Sequence, residues 1–407
     1  MHITIKKDSI KKNIAICLIV LILFINASLY TIDTIDMFIK AIIVLVIISW
    51  LFLLIHIGAI KKFFKTKYFL WLSLLFILYE CYGFTRIVYG NFNWDYLLAL
   101  YVSVVTICTL FTSIPDSYKI NSLYKICIFA SLAICSYILI NEYTNIIGGG
   151  VRIGESGSGN VNTIGTYLSV FSIPIMYGII IKKQYNQIPV FLVQLIFMFL
   201  TGSKKTLLLI VLGLFIYYTY KNGFKLHKYI KLLLIVFLIF FMIIKIDFFY
   251  NIIGFRVVDF FGELGLNIGG SGFSYSTEQR MQMYKIAPTL FLQHPIIGGG
   301  WGYFAAFSGL KVYSHSNIIE LLITFGLLGF IIYYSMYINL LKKAIKQVQK
   351  KEGIIVFCFL VLLIVNDAFT ITFCQVPICY FSLFVSYVLI EFRLELSDRE
   401  KSGIVSQ

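Results

Sequence analysis

The sequence predicts an all-α polytopic membrane protein of about 12 transmembrane helices, and three observations lead there. Of its 407 residues, 59% are hydrophobic and only 13% charged, whereas soluble domains run near half apolar and a quarter charged. The apolar residues gather in runs of roughly 20, about one bilayer crossing each. The charges sit in short clusters between those runs, as they do when a chain threads back and forth. The formal net charge of +15 therefore reads as membrane topology, and nucleic acid is not expected as a partner.

Taken in order, the expected crossings are 14–30, 37–57, 68–88, 94–114, 123–141, 161–181, 188–201, 205–220, 229–247, 316–340, 353–372 and 375–392. The first follows Lys6, Lys7, Lys11 and Lys12 without a small-residue cleavage site, so it reads as a retained helix. The seventh and eighth are short and joined by a tight "TGSKK" turn, so they could form one tilted hairpin. If the crossings alternate, 22 of the 34 basic residues fall on one side, in the tails and the loops near 58–67, 115–122, 182–187, 221–228 and 341–352. That side is cytoplasmic, and both termini lie on it.

The organisation expected is then nine crossings over residues 1–247, with an outer Gly/Asn-rich loop at 142–160. One large extracytoplasmic loop, 248–315, carries short amphipathic helices, and crossings ten to twelve plus a cytoplasmic tail fill 316–407. The eight cysteines lie mostly in apolar runs and read as small packing residues. The outer loops hold Glu155, Asp259, Glu263 and Glu278 without ligand spacing, so no metal site and no cofactor is expected.

Orientation does not explain basic residues on the outer side, namely Arg86, Arg152, Lys204, Lys205, Arg256, Arg280, Lys285 and Lys311. Arg is scarce here beside Lys, yet four of these eight are Arg. Its planar fork suits phosphate and keeps its charge when desolvated. The segment "STEQRMQMYKIAPTLFLQHP" reads as an amphipathic helix with Ser276 or Thr277 as N-cap. Glu278, Gln282, Lys285, Thr289 and Gln293 make its polar stripe, and Arg280 falls about 200° from Glu278, among Met283, Tyr284, Ala287 and Phe291. An arginine there needs a partner, a salt bridge or a ligand anion.

In "TGSKKT", Gly202 and Ser203 precede a helix whose first turn holds Lys204 and Lys205. The macrodipole opposes lysine there unless an anion binds, the alternative being an interfacial anchor. In "VRIGESGSGNVNTIG", Arg152 is followed by glycines and by Asn160 and Asn162, whose amides suit sugar hydroxyls or phosphate. His315 stands at the mouth of the tenth crossing with Glu320 five residues on, about 140° round the helix. The histidine is the best candidate for a general base, a helix-capping role being the alternative.

"QHPIIGGGWGYF" followed by "SHSNIIELLITFGLLGF" resembles the O-antigen ligase/polymerase superfamily, the Wzy-type polysaccharide polymerases and their ligase relatives. "TGSKKTLLL" is similar to that family's Thr-x-Ser-Arg/Lys helix start, "RIGESGSGNVN" to its Arg-Gly-Asn outer loop, and Arg280 to the arginine ahead of its outer-loop turn. Lys204 stands where Arg is commoner, and the interval from Phe304 to His315 is short. The resemblance implies a GT-C-like, inverting, metal-independent glycosyltransferase at the outer face of the bacterial cytoplasmic membrane. Its substrates would be undecaprenyl-pyrophosphate-linked oligosaccharides, as donor and acceptor. It implies Arg280 and His315 as catalytic, and Arg152, Asn160, Asn162, Ser203, Lys204, Lys205, Arg256 and Glu320 as substrate-binding. A polymerase is expected, with a chain-length regulator and a flippase as further partners. A ligase using lipid A-core is the first alternative, and a lipid-linked oligosaccharide flippase is the alternative of another class.

Overall fold

A computed structural model describes residues 2–28, 35–85, 89, 94–148, 160–223, 229–230, 233–234, 237–238, 241, 244–247, 250–254, 258, 275–349 and 353–401. The described residues are helical with connecting turns. The helices are α1 (His2–Ser28), α2 (Ile35–Leu54), α3 (Ile57–Phe64), α4 (Lys67–Thr85), α5 (Trp94–Ser113), α6 (Lys119–Gly148), α7 (Val161–Ile180), α8 (Ile188–Leu200), α9 (Lys204–Asn222), α10 (Tyr275–Gln293), α11 (Tyr303–Phe307), α12 (Asn317–Gln347), α13 (Gly353–Asp367) and α14 (Pro377–Lys401).

Each expected crossing coincides with a helix except 229–247, much of which lies outside the described residues. Length and apolarity suffice to cross a membrane for five described helices: Ser9–Ser28, Trp94–Ser113, Asp116–Thr144, Val161–Ile180 and Asn317–Gln347. A sixth span forms if α2 and α3 count together across their 106° bend. On this measure five or six of the expected twelve qualify. Tyr185–Leu200, Gly353–Asp367 and Pro377–Glu391 are shorter apolar helices. At about 1.5 Å per residue, α8 is about 20 Å long, short of the roughly 30 Å hydrocarbon core.

The chain divides into two compact units. The first comprises residues 1–23, 39–126 and 287–407, the second 24–38 and 127–286. In the first, aromatic side chains bury their rings and send their polar tips to backbone carbonyls of distant helices or turns. Tyr68 Oη donates to Tyr380 O at 2.7 Å, Trp71 Nε1 to Ile332 O at 2.8 Å, and Tyr96 Oη to Gln375 O at 2.9 Å. Each bond satisfies a hydroxyl or indole that burial would otherwise strand. Tyr79, Trp301, Phe325 and Phe373 form one ring cluster, with Tyr79 stacked on Phe325 at 5.0 Å and Trp301 on Phe373 at 5.6 Å.

In the second unit α7, α8 and α9 pack together, and α7 is buried along nearly its whole length. Gly165 makes the α7–α9 approach possible, because a Cβ there would sit 2.3 Å from Thr206 Oγ1.

Within the expected outer loop, the amphipathic helix is α10. It starts at Tyr275, so Ser276 and Thr277 are inside it and neither is its N-cap. A cap is the non-helical residue that precedes the first turn. Met283, Ala287 and Leu290 are buried, and Glu278, Gln282, Lys285, Thr289 and Gln293 are exposed, as the stripe requires. Tyr284 is exposed as well, so the protected stripe is narrower than expected.

Candidate functional site

The glycine-rich turn after α10 does its work on backbone. Its N–H groups of Gly299 and Gly300 donate to Ile323 O (2.8 Å) and Thr324 O (3.0 Å). In return the N–H groups of Leu327 and Leu328 donate to Pro295 O (2.9 Å) and Ile296 O (3.1 Å). The turn is thus stitched into a break in α12 at Gly326, whose φ is 63° and ψ −163°. Only glycine fits the closest approaches. A Cβ on Gly298 would lie 2.3 Å from Thr324 O, and one on Gly326 would lie 2.4 Å from Ile296 O. Both also have positive φ. Non-helical backbone at membrane depth needs partners of this kind, since no water supplies them. Tyr82 Oη donates to Ile297 O and Trp301 Nε1 to Tyr79 O (3.1 Å), tying the turn to α4.

This turn fixes the first half of α12, and His315 stands just ahead of it. Ser316 is the N-cap, accepting from Ile319 N at 3.5 Å. His315 has φ +55°, a left-handed backbone uncommon for a side-chain-bearing residue. Such a conformation costs on the order of 1–3 kcal/mol and persists where the surroundings impose it. Here Glu320 is one restraint, for its Oε2 accepts from Ser314 N at 3.0 Å. Ser314 Oγ donates to Ser316 O at 3.1 Å, and the Tyr313 ring meets the His315 ring edge-on at 4.4 Å. Glu320 is 6% exposed. It therefore shapes the turn through the backbone, and among the described residues no arginine pairs with it.

Below this turn lies a buried polar network that sequence reasoning missed. Asp367 and Asn317 are both 0% exposed. Asp367 Oδ2 accepts from Asn317 Nδ2 (3.3 Å) and Tyr334 Oη (3.0 Å), and Oδ1 from Thr372 Oγ1 (2.6 Å). Asn317 Oδ1 accepts from the N–H groups of Thr372 (2.8 Å) and Phe373 (2.9 Å). The start of α12 is thereby pinned to the turn between α13 and α14. The signal available in sequence was Asp367 as a rare acid in an apolar run, next to Asn366 and followed by Thr370 and Thr372.

The second unit holds the other constellation. Asn160 caps α7, its Oδ1 accepting from Asn162 N (2.9 Å) and Thr163 N (3.3 Å). Ser203 precedes α9 and its Oγ lies 3.4 Å from Asn162 Oδ1. Lys205, 7% exposed, donates from Nζ to Thr166 Oγ1 (2.8 Å) and Asn162 O (3.3 Å). So the sequence's Asn160, Asn162, Ser203 and Lys205 do come together, where the first turns of α7 and α9 meet. Each first turn carries N–H groups with no intrahelical partner. Two positive helix ends and an ammonium make an anion-favouring corner. Lys204, the residue matching the family's Arg position, is half-buried beside it.

Arg280 is half-buried on α10, on the same face as buried Met283 and Ala287. It belongs to the second unit, whereas His315 and Glu320 belong to the first. Arg152 and Arg256 lie outside the described residues, as does Arg86.

Residues 189–334 match the family model described as O-antigen ligase. The match takes in Ser203, Lys204, Lys205, Arg280, the glycine-rich turn, His315 and Glu320, so this segment is similar to the O-antigen ligase/polymerase superfamily. No curated protein matches the chain. The apolar helices and this similarity together point to a membrane protein.

Proposed function

We propose that this protein is a polymerase that joins undecaprenyl-pyrophosphate-linked oligosaccharide repeats at the outer face of the bacterial cytoplasmic membrane, making O-antigen or capsular polysaccharide. The growing chain on its carrier is the donor, and a hydroxyl of a single repeat is the acceptor. The acceptor oxygen attacks the anomeric carbon of the donor's carrier-linked sugar, and the bond from that carbon to the pyrophosphate oxygen breaks. Configuration inverts, and undecaprenyl pyrophosphate leaves. His315 takes the acceptor's proton, a contribution of about 10²–10⁴-fold. Arg152, Arg256, Arg280, Lys204 and Lys205 hold the anion as its charge grows. Asn160, Asn162 and Ser203 contact sugar or phosphate oxygens, and Glu320 keeps the His315 turn in shape.

One observation carries this reading. The family-matched segment contains an imidazole held in a left-handed turn at a helix start, and that turn is fixed by a buried carboxylate on its backbone. The family description itself favours a second reading, ligation of finished polysaccharide to lipid A-core. The two share chemistry and differ in acceptor. Protein reconstituted with lipid-linked repeats alone should yield a ladder if it is a polymerase; product only after addition of lipid A-core would assign the ligase role. In cells, Arg280→Ala or His315→Ala should collapse the glycan ladder to one repeat unit at normal protein levels. Full-length ladders from both variants would defeat the mechanism.

A further inference from the structure

The elbow between α2 and α3 takes no part in the chemistry above. It lies within the first unit, where the chain turns through 106° between Leu54 and Ile57. Phe63 holds α3 down, fully buried and edge-on to Phe384 at 5.4 Å. A cavity of about 540 Å³ opens at the bend, and its polar lining is His56, Lys62, Thr112 and Ser113.

The charges around it are overwhelmingly positive. Lys62 Nζ lies 3.4 Å from Asp116 Oδ2, but Lys119, nearly buried, already bonds the other oxygen of that carboxylate. Lys62 keeps 59% of its side chain exposed. Lys11 is within electrostatic reach of His56. Lys61, Lys65 and Lys67 are exposed along and just beyond α3. Among the described residues, the one aspartate shared by Lys62 and Lys119 does not balance this group.

The hydroxyls add a second feature. Thr112 Oγ1 donates to Cys108 O (2.8 Å) and Ser113 Oγ to Leu110 O (2.6 Å). Their protons are committed, so toward the cavity they offer lone pairs, which accept from a ligand hydroxyl. Next to the cavity, α2 presents an apolar stripe to the outside. On α2, Val44, Ile47, Leu51 and Leu54 are each more than half exposed, as is Ile55 just beyond its end. Their spacing puts them along one side of the helix.

We propose that this elbow is a binding site for an anionic phospholipid. The phosphate sits against Lys62 and His56, headgroup hydroxyls meet Thr112 and Ser113, and the acyl chains run along the α2 stripe. A soluble phosphate would use the lysines and leave the stripe without a role, so the lipid is the occupant that uses every feature. Lysines near an anionic headgroup attract it, and the attraction is lost with the charge.

The test is lipid retention by the full-length protein in detergent, read by native mass spectrometry during titration with phosphatidylglycerol or phosphatidylcholine. Wild type should retain phosphatidylglycerol preferentially. Lys62→Gln should lower that retention about fivefold, from loss of one lysine near a phosphate. Gly58→Leu should lower it comparably without touching a charge, because Gly58 lines the cavity and the new side chain would project into it. Open space lies around a Cβ at Gly58, so the fold accepts the change, and an unaltered melting temperature checks this. Equal retention of the two lipids by wild type overturns the proposal, whatever the variants do. Undiminished phosphatidylglycerol retention by folded Gly58→Leu also overturns it. Displacement of phosphatidylglycerol by inorganic phosphate as readily as by added lipid assigns the cavity to a soluble anion and overturns the lipid reading.

Discussion

Lys204 and Lys205 are adjacent in sequence and differ physically. One helical step of about 100° leaves Lys204 half-buried and turns Lys205 into the contact between α7 and α9. A buried ammonium is costly unless its donors are met, and Thr166 and Asn162 meet two of them. The family resemblance aligned Lys204 with the usual arginine, but burial singles out Lys205 as the more constrained charge. Replacing Lys205 by Gln should therefore reduce ladder length and polymer yield more than Lys204→Gln. A drop of about 10-fold or more is expected if the ammonium contacts the leaving pyrophosphate, the order of a lost charged hydrogen bond. Quantifying polymer by silver-stained gel at matched protein levels decides it, and equal effects from the two variants would remove Lys205's privilege.

At the scale of elements, the "HPIIGGGWG" turn and the α12 break are one structure. In sequence the glycines read as part of a family motif; in the fold they are the places where two backbones come closer than any Cβ permits. Gly298→Ala and Gly326→Ala each combine a positive-φ penalty with a backbone clash. Gly223→Ala makes a control, since Gly223 also has positive φ but only open space around it. The control should cost about 1–3 kcal/mol, the price of strain alone. Gly298→Ala and Gly326→Ala should cost more, because the atoms in the way are main-chain and move only with the break itself. Thermal unfolding in detergent measures the difference. Melting temperatures for Gly298→Ala and Gly326→Ala as high as that of Gly223→Ala would show the turn to be loosely seated.

For the molecule as a whole, the Asp367 network links the start of α12 to the turn between α13 and α14, segments some 50 residues apart in the chain. Removing the carboxylate leaves the Asn317 amide and the Tyr334 and Thr372 hydroxyls short of a partner. Asp367→Ala should destabilise the protein by about 2–5 kcal/mol. Asp367→Asn should cost less, since the amide keeps one acceptor. Both are read by thermal shift, and an Asp367→Ala protein that melts like wild type would mean the network is incidental. His315 lies two residues before Asn317, so ladder length in the same variants reports whether the network also serves the turn.

Much of this was legible in the chain. Hydrophobic runs located the helices, because apolar length is what a bilayer demands. The polar stripe of α10 followed from periodicity, whereas the capping role of Asn160, read in sequence as a ligand contact, came only from the fold. The α10 cap was misplaced because Ser276 and Thr277 are good caps in isolation, whereas Tyr275 is already helical. Asp367 and Asn317 escaped because their partners come from two helices and a turn. No spacing within a run announces such a meeting.

The sequence by itself determined a helical, membrane-type chain and its resemblance to a family over one segment, since hydropathy, charge placement and short motifs are local properties. Tertiary structure alone decided that Lys205 is the buried charge of its pair, that Glu320 serves a backbone N–H, and that the glycines exist to let a turn enter a broken helix. Those outcomes depend on which atoms of distant segments share a few ångströms, and only packing sets that.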